Sequence, residues 1–150
     1  MSATRPAVRW ARGPEDLEGA IAVRRRVFCE EQGVPLEEEL DGRDGEAAHL
    51  LAFDEQGTVV ATLRLLCDGE TAKIGRVAVD LEWRGRGIAS LMLQEALVAA
   101  RERGARRARL ASQVEVVPLY ERAGFAVQSG VFMDAGIPHV WMGRELTPAA

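Results

Sequence analysis

The stretch Lys73-Ile74-Gly75-Arg76-Val77-Ala78-Val79-Asp80-Leu81-Glu82-Trp83-Arg84-Gly85-Arg86-Gly87-Ile88-Ala89 decides how the rest of the chain is read. Ala72 to Val79 has the length and apolar content of a strand, and Arg84-Gly85-Arg86-Gly87 is a turn. Ile88, Leu91, Met92, Ala96 and Ala99 then fall on one face of a helix that Gly104 ends. A strand feeding a Gly-rich turn that opens a helix is suited to binding an anion. The first-turn N–H groups of a helix lack intrahelical acceptors, the positive end of its dipole lies there, and glycine lets the backbone approach a phosphate closely. Arg84 and Arg86 add positive charge, so a pyrophosphate fits. A plain strand-to-helix connection that uses glycine for backbone freedom has the same local sequence, so the turn alone does not decide. Two other phosphate-binding patterns fit poorly. A Walker A loop needs Gly-Lys followed by Ser or Thr, and this turn has no Lys. A dinucleotide fingerprint would place its third small residue at Ser90, and too little chain follows for two mononucleotide-binding halves.

Working outward, the flanking segments predict strands and helices in an order that is not a steady alternation. Val8 and Trp10 alternate with polar neighbours as a short strand, and Gly13-Pro14 starts a helix on which Leu17, Ile21, Val27 and Phe28 recur at helical spacing. Gly33 and Pro35 end it, and the acidic, Gly-containing segment from Val34 to Ala47 predicts a solvated loop with room for a helical turn. His49 to Phe53, Val59 to Leu66 and Ala72 to Val79 are separated by turn sequences and predict an antiparallel meander. After the helix come a strand from Arg107 to Ala111, a short helix from Val116 to Ala123 closed by Gly124, and strands from Phe125 to Gln128 and His139 to Leu146. A loop containing Gly130 and Gly136-Ile137-Pro138 joins those last two strands. This order favours a mixed α+β fold over a doubly wound sheet.

Composition bounds the function. The 150 residues are 47% hydrophobic and 28% charged, which is enough for one core of ordinary size and predicts a single domain over residues 1–150. A formal charge of -4 argues against nucleic acid as the main partner, since phosphate binding needs a surplus of Lys and Arg on some face. The opening residues lack a signal-peptide core and no apolar run is long enough to span a bilayer, which predicts a cytoplasmic protein without a membrane partner. With only Cys29 and Cys67, a disulfide framework or a thiol metal cage is unsupported. Both cysteines are expected to be reduced, buried and inert, and no metal is expected.

Taken together, the motifs resemble the acyl-CoA signature of the GNAT N-acetyltransferase superfamily, in which Arg or Gln, two residues, Gly, one residue and Gly or Ala follow a strand of alternating Val. Arg84, Gly87 and Ala89 fit it position by position. The resemblance runs along nearly the whole chain and tightens toward the ElaA/YjcF-like subgroup of acetyltransferases. It is carried by Arg24-Arg25-Arg26-Val27-Phe28, Glu31-Gln32-Gly33-Val34-Pro35, Glu39-Leu40-Asp41-Gly42, Leu119-Tyr120 with Gly124-Phe125, and Asp134-Ala135-Gly136-Ile137-Pro138-His139 with Met142.

The resemblance implies an α+β, mostly antiparallel sheet flanked by helices, with central strands that splay so that the pantetheine arm pairs with Gly75 to Val79. Acetyl-CoA would be the cosubstrate. Backbone around Val77, Ala78 and Val79 would hold the arm and thioester, and Arg84, Gly85, Arg86, Gly87, Ile88 and Ala89 would hold the pyrophosphate. An amine would attack the thioester directly, through a tetrahedral intermediate, with Tyr120 as the acid that protonates the departing thiolate. The amine also needs a base. Glu31, His49 and His139 are the candidates, although a lone His is more often structural. Glu31, Glu39 and Asp41 lie in or near a loop that flanks the acceptor cleft in this family. Read from the residues alone, they are a solvated acidic surface. Arg24 is two helical turns from Glu31 on a similar face, and a structural ion pair with the acidic loop is its favoured role. Trp83 and Met92 read as packing. Leu119 stands where relatives often have Phe, and Glu115 where they have His. An acyl-homoserine-lactone synthase and a CoA-binding sensor without turnover are the alternative readings. The amine acceptor, the acyl-chain preference and the oligomeric state, a homodimer included, stay open.

Overall fold

The computed structural model describes residues 6–148. Its contacts divide the chain into two compact units, Met1–Arg64 with Arg76–Met92, and Leu65–Gly75 with Leu93–Ala150. The described residues form eight strands in one mostly antiparallel sheet and four α-helices, which is the mixed α+β class expected.

In the first unit, β1 (Ala7–Trp10) pairs antiparallel with β2 (Ala48–Phe53), from Ala7 opposite Phe53 to Trp10 opposite Leu50. The order continues through β3 (Val59–Asp68) to β4 (Thr71–Val79), both of which extend into the second unit. Helix α1 (Pro14–Arg24) starts with proline in its first turn, where the missing N–H costs nothing, and Asp16 accepts the Arg12 N–H at 2.8 Å. Its buried residues are Ala20, Val23 and Arg24, which corrects the expected face of Leu17 and Ile21, while Phe28, beyond its end, packs partly buried against the same core. Ala20 and Val23 pack with Val27, Leu51, Val59 and Ala78. Gly19 allows the approach, because a Cβ there would lie 2.6 Å from Val59 Cγ2.

Past Arg24 the helix widens into a π-helical turn over Arg25–Glu31, with the Gln32 N–H reaching back five residues to the Val27 carbonyl at 3.2 Å. Arg24 is buried and pairs with Glu39 and Asp44, whereas Glu31 is exposed and pairs with Arg84, so the two do not share the surroundings that regular helical spacing predicts. The segment from Val34 to Ala47 holds a one-turn helix α2 (Leu36–Glu39) and a 3₁₀ turn at Asp44–Glu46. It is not simply a solvated loop: Glu39 is only 2% exposed.

In the second unit, the start of β4 pairs parallel with β5 (Arg107–Gln113), Thr71 opposite Arg107 and Lys73 opposite Arg109. The pairing stops there although both strands continue. β5 also pairs antiparallel with β8 (Ile137–Glu145) over seven residues, from Arg107 opposite Glu145 to Gln113 opposite His139. Helix α3 (Ile88–Glu102) runs from the first unit into the second, and α4 (Val117–Arg122) precedes β6 (Ala126–Val127). The predicted loop before β8 contains a further strand, β7 (Phe132–Asp134), joined to β8 by Ala135 and Gly136 at φ 52° and 75°. Two consecutive positive φ values give the tight hairpin turn whose twist matches its strands. The cysteines are also corrected. Both are free, but Cys67 is exposed and Cys29 half-buried, its thiol pKa raised by burial and by the charge of Glu39. Among the described residues no helix is long and apolar enough to cross a membrane.

Candidate active site

The expected anion cradle is built as a strand, a 3₁₀ turn, two glycines and a helix. β4 ends at Val79, the turn Leu81–Trp83 follows, and α3 begins at Ile88. Gly85 and Gly87 sit at φ 76° and 78°, a conformation that glycine adopts freely, and a Cβ at either would meet nothing within 4 Å. Their requirement is therefore conformational, and the space before them is open. The Leu91 N–H bonds the Gly87 carbonyl at 3.1 Å, which leaves the N–H groups of Ile88, Ala89 and Ser90 as the first-turn donors without intrahelical acceptors. Donors, dipole and space together suit a pyrophosphate.

The two arginines of the turn differ in role. Arg84 donates to the Val79 carbonyl at 2.9 Å and forks onto Glu31 at 2.7 and 2.6 Å. The Arg84 hydrogen bonds pull the Glu31 carboxyl below its ordinary pKa, and Glu31 in turn raises that of Arg84. Glu31 thus braces the cradle and is a weak proton acceptor. Arg86 lies over the Trp83 ring, 4.6 Å from its centroid, and donates to the Glu82 carbonyl at 3.0 Å. No carboxylate among the described residues forms an ion pair with it, so its charge is available to an anion. A second brace escaped the sequence reading: Arg26 forks onto Asp80 at 2.9 and 2.8 Å. Both braces come from the π-helical turn, whose altered residue spacing has no signature in the sequence. Of the expected thioester strand, Ala78 is buried while Val77 and Val79 are half-buried.

The acidic residues Glu39 and Asp41 join a circuit with Asp44 and three arginines. Arg24 Nε meets Glu39 Oε1 at 2.6 Å, and Glu39 Oε1 meets Arg76 Nε at 3.3 Å. Arg76 Nη2 meets Asp41 Oδ2 at 3.4 Å, which Arg64 Nη2 meets at 2.7 Å. Arg64 Nη1 then meets Asp44 Oδ1 at 3.2 Å, and Asp44 Oδ1 meets Arg24 Nη1 at 2.8 Å. The ring alternates in sign, closes on itself and sums to zero charge. Hydrogen bonds from Arg64 hold Asp41 well below the usual carboxylate range. For Asp44, burial raises the pKa but the bonds and charges of Arg24 and Arg64 outweigh it, and the net shift is downward. Arg24 therefore has the structural role expected of it. Arg64 and Arg76 sit inside apolar strand runs, where the sequence shows them only as interruptions.

In the second unit, Tyr120 lies on α4, 6% exposed and edge-on to Phe125 with ring centroids 6.2 Å apart. Burial alone raises its hydroxyl pKa above the ordinary value. His139 lies half-buried on β8, Nδ1 2.7 Å from the Ile137 carbonyl and its ring stacked on Phe132. A carbonyl accepts, so Nδ1 carries the proton there and Nε2 is left as the basic nitrogen. His49, in the first unit, is 5% exposed with Nε2 3.0 Å from the Asp44 carbonyl, a structural position beside the ring.

Comparison with known proteins identifies the family. The family model of the acetyltransferase (GNAT) domain matches residues 15–146. The chain belongs to the GNAT acetyltransferase family. It is 35% identical over 136 residues to the uncharacterized N-acetyltransferase YjcF of Bacillus subtilis, a match covering 90% of this chain and 96% of that one. Among solved structures, Escherichia coli ElaA superposes with a TM-score of 0.81 at 26% identity, covering 93% of this chain and all of ElaA. The E. coli GNAT family N-acetyltransferase YhbS, solved in complex with CoA, shares the fold with a TM-score of 0.76 at 24% identity, over 98% of this chain and 84% of that one. In this GNAT N-acetyltransferase, Arg84, Gly87 and Ala89 stand at the entrance to α3.

Proposed function

We propose that this GNAT enzyme transfers an acetyl group from acetyl-CoA directly to the amine of a small molecule or peptide. The observation that carries the reading is the pair of glycines at φ 76° and 78° facing open space at the start of α3. The N–H groups from Gly85 to Ala89 and the Arg86 guanidinium take the pyrophosphate, the Arg84 N–H being bonded to the Leu81 carbonyl, and the β4 amides near Val77 and Val79 take the pantetheine arm and the thioester carbonyl. The amine nitrogen attacks that carbonyl, the negative charge on oxygen is stabilised by backbone N–H, and the carbon–sulfur bond breaks. Tyr120, kept protonated by its burial, supplies a proton to the departing sulfur. His139 Nε2 is the base we assign for the amine proton, in preference to Glu31, which is ion-paired with Arg84. The family match spans residues of both units, which supports reading them as one catalytic domain. A donor of this class also supports a cytoplasmic location.

The test is release of free CoA from acetyl-CoA, measured against a panel of polyamines, amino sugars, peptide N-termini and lysine. Turnover with one amine class, reduced at least about a hundredfold in Tyr120→Phe, is the expected result for loss of a general acid. Turnover unchanged in that variant removes Tyr120 from the mechanism.

A further inference from the structure

Arg76 stands at φ 50° in the interior of β4, one of two non-glycine residues at positive φ among those described. The left-handed conformation is disfavoured for a side-chain-bearing residue, and it persists only where the surroundings over-determine it. The surroundings here are specific. The Arg76 guanidinium donates to the Glu39 backbone carbonyl from Nη2 at 2.9 Å and from Nε at 3.2 Å, and closes the charge ring between Glu39 and Asp41. Three corners of that ring are deeply buried: the side chains of Arg24, Glu39 and Arg64 are 1%, 2% and 8% exposed. A kink in a strand re-aims the groups that follow it, and the residues that follow are Val77, Ala78 and Val79.

We propose that Arg76 is a positioning residue: locked into the ring of Arg24, Glu39, Asp44, Arg64 and Asp41, it holds the kink of β4 and so fixes the direction of the Val77 and Val79 amides that receive the thioester. The inference rests on the donor-binding reading above, but it assigns a role to residues that reading does not use. The ring joins α1, α2, the 3₁₀ turn, β3 and β4. A flexible acidic loop would give β4 no such reference point. Two arginines and two carboxylates besides Glu39 and Arg76 are needed to close it without net charge, which accounts for charged residues buried inside otherwise apolar strands.

The experiment uses acetyl-CoA labelled with ¹³C at the carbonyl and reads its infrared band when bound, beside calorimetric affinities for acetyl-CoA and for adenosine 3′,5′-bisphosphate as a probe of the cradle alone. In the wild type the carbonyl band moves to lower frequency than in free acetyl-CoA. In Arg76→Ala and Arg76→Gly the band returns toward the free position and acetyl-CoA binds about tenfold more weakly, equivalent to about 1.4 kcal/mol, while the bisphosphate affinity changes less than about twofold. Glycine adopts the φ without strain, so Arg76→Gly retaining the wild-type band would show that backbone conformation suffices and would overturn the role of the ring. Asp41→Asn cuts the ring at an exposed link, keeps Arg76 and serves if either Arg76 variant fails to fold. A wild-type band in Asp41→Asn with lowered thermal stability would make the ring purely structural and overturn the proposal. If the wild type itself binds no acetyl-CoA, the donor reading has failed, a result distinct from these.

Discussion

Arg24→Ala removes the guanidinium at the most deeply buried corner of the charge ring, where the residue is 0% exposed. Three hydrogen bonds go with it: one to Glu39 at 2.6 Å and two to Asp44 at 2.8 and 3.2 Å. Glu39 is left worse off than the count suggests. Its Oε2 is already buried without a partner, and its Oε1 would keep only Arg76 at 3.3 Å. Breaking a buried ion pair by removing one partner costs about 3–5 kcal/mol, because the other charge stays buried and uncompensated. For a chain of this length, 1 kcal/mol moves the melting temperature by about 2–4 °C, so Arg24→Ala should melt about 6–20 °C below wild type. The assay is urea unfolding followed by tryptophan fluorescence and circular dichroism, with scanning calorimetry alongside. Arg25→Ala, at an exposed neighbour, is the control and should change stability by no more than about 0.5 kcal/mol. A loss below about 1 kcal/mol for Arg24→Ala would refute the reasoning, since a ring that costs so little to open cannot anchor β4.

Other consequences follow from single groups. Tyr120→Phe should keep stability near neutral pH within about 1 kcal/mol, since ring volume is conserved. Burial raises the folded pKa of Tyr120, so the wild type holds this contribution below the ordinary value of about 10 and loses it as pH rises beyond. The Phe variant should show a shallower alkaline decline in thermal unfolding, and matching alkaline limbs would contradict the burial argument. Asp41 is shifted the other way: its folded pKa is depressed by Arg64, so its contribution is present above the unfolded value near 4 and is lost as pH falls. Asp41→Asn should therefore destabilise at pH 7 and flatten the acid limb of a melting-temperature profile. Glu31→Gln separates brace from base: kcat should stay within about threefold while CoA affinity changes, whereas a loss of about a hundredfold in kcat would make Glu31 the base. Gly19→Ala should cost about 1–3 kcal/mol by overpacking against Val59, measured by urea unfolding.

The sequence made the anion cradle legible because its constraints are local. Gly85, Gly87 and the helix that follows are adjacent in the chain, and glycine at positive φ is a requirement of the backbone itself. The element order and fold class were legible for a similar reason, since alternating and helical apolar periods separate cleanly from Ala48 onward. What stayed hidden is long-range. Arg24, Arg64 and Arg76 lie on three elements far apart in the chain from one another and from the acidic segment that carries Glu39, Asp41 and Asp44, and nothing in the spacing of these charges announces a closed ring. The acidic segment looked solvated because charge in a sequence signals exposure until a partner is known. The π-helical turn was equally invisible, and with it went the assignment of Glu31 to Arg84 and Arg26 to Asp80. Hairpin β7–β8 was missed because Ala135 carries a positive φ that its residue type does not advertise.

The central claim, that the Gly85–Gly87 turn and the start of α3 bind the donor, is tested most directly by calorimetric titration with acetyl-CoA, CoA and NAD, repeated with Gly87→Glu. That substitution puts a side chain at φ 78° and a negative charge at the helix entrance. Selective binding of acetyl-CoA and CoA by the wild type, weakened at least about a hundredfold in the variant while NAD binds neither, is the result predicted. Absence of CoA-ester binding in the wild type, or equal binding in the variant, would contradict it.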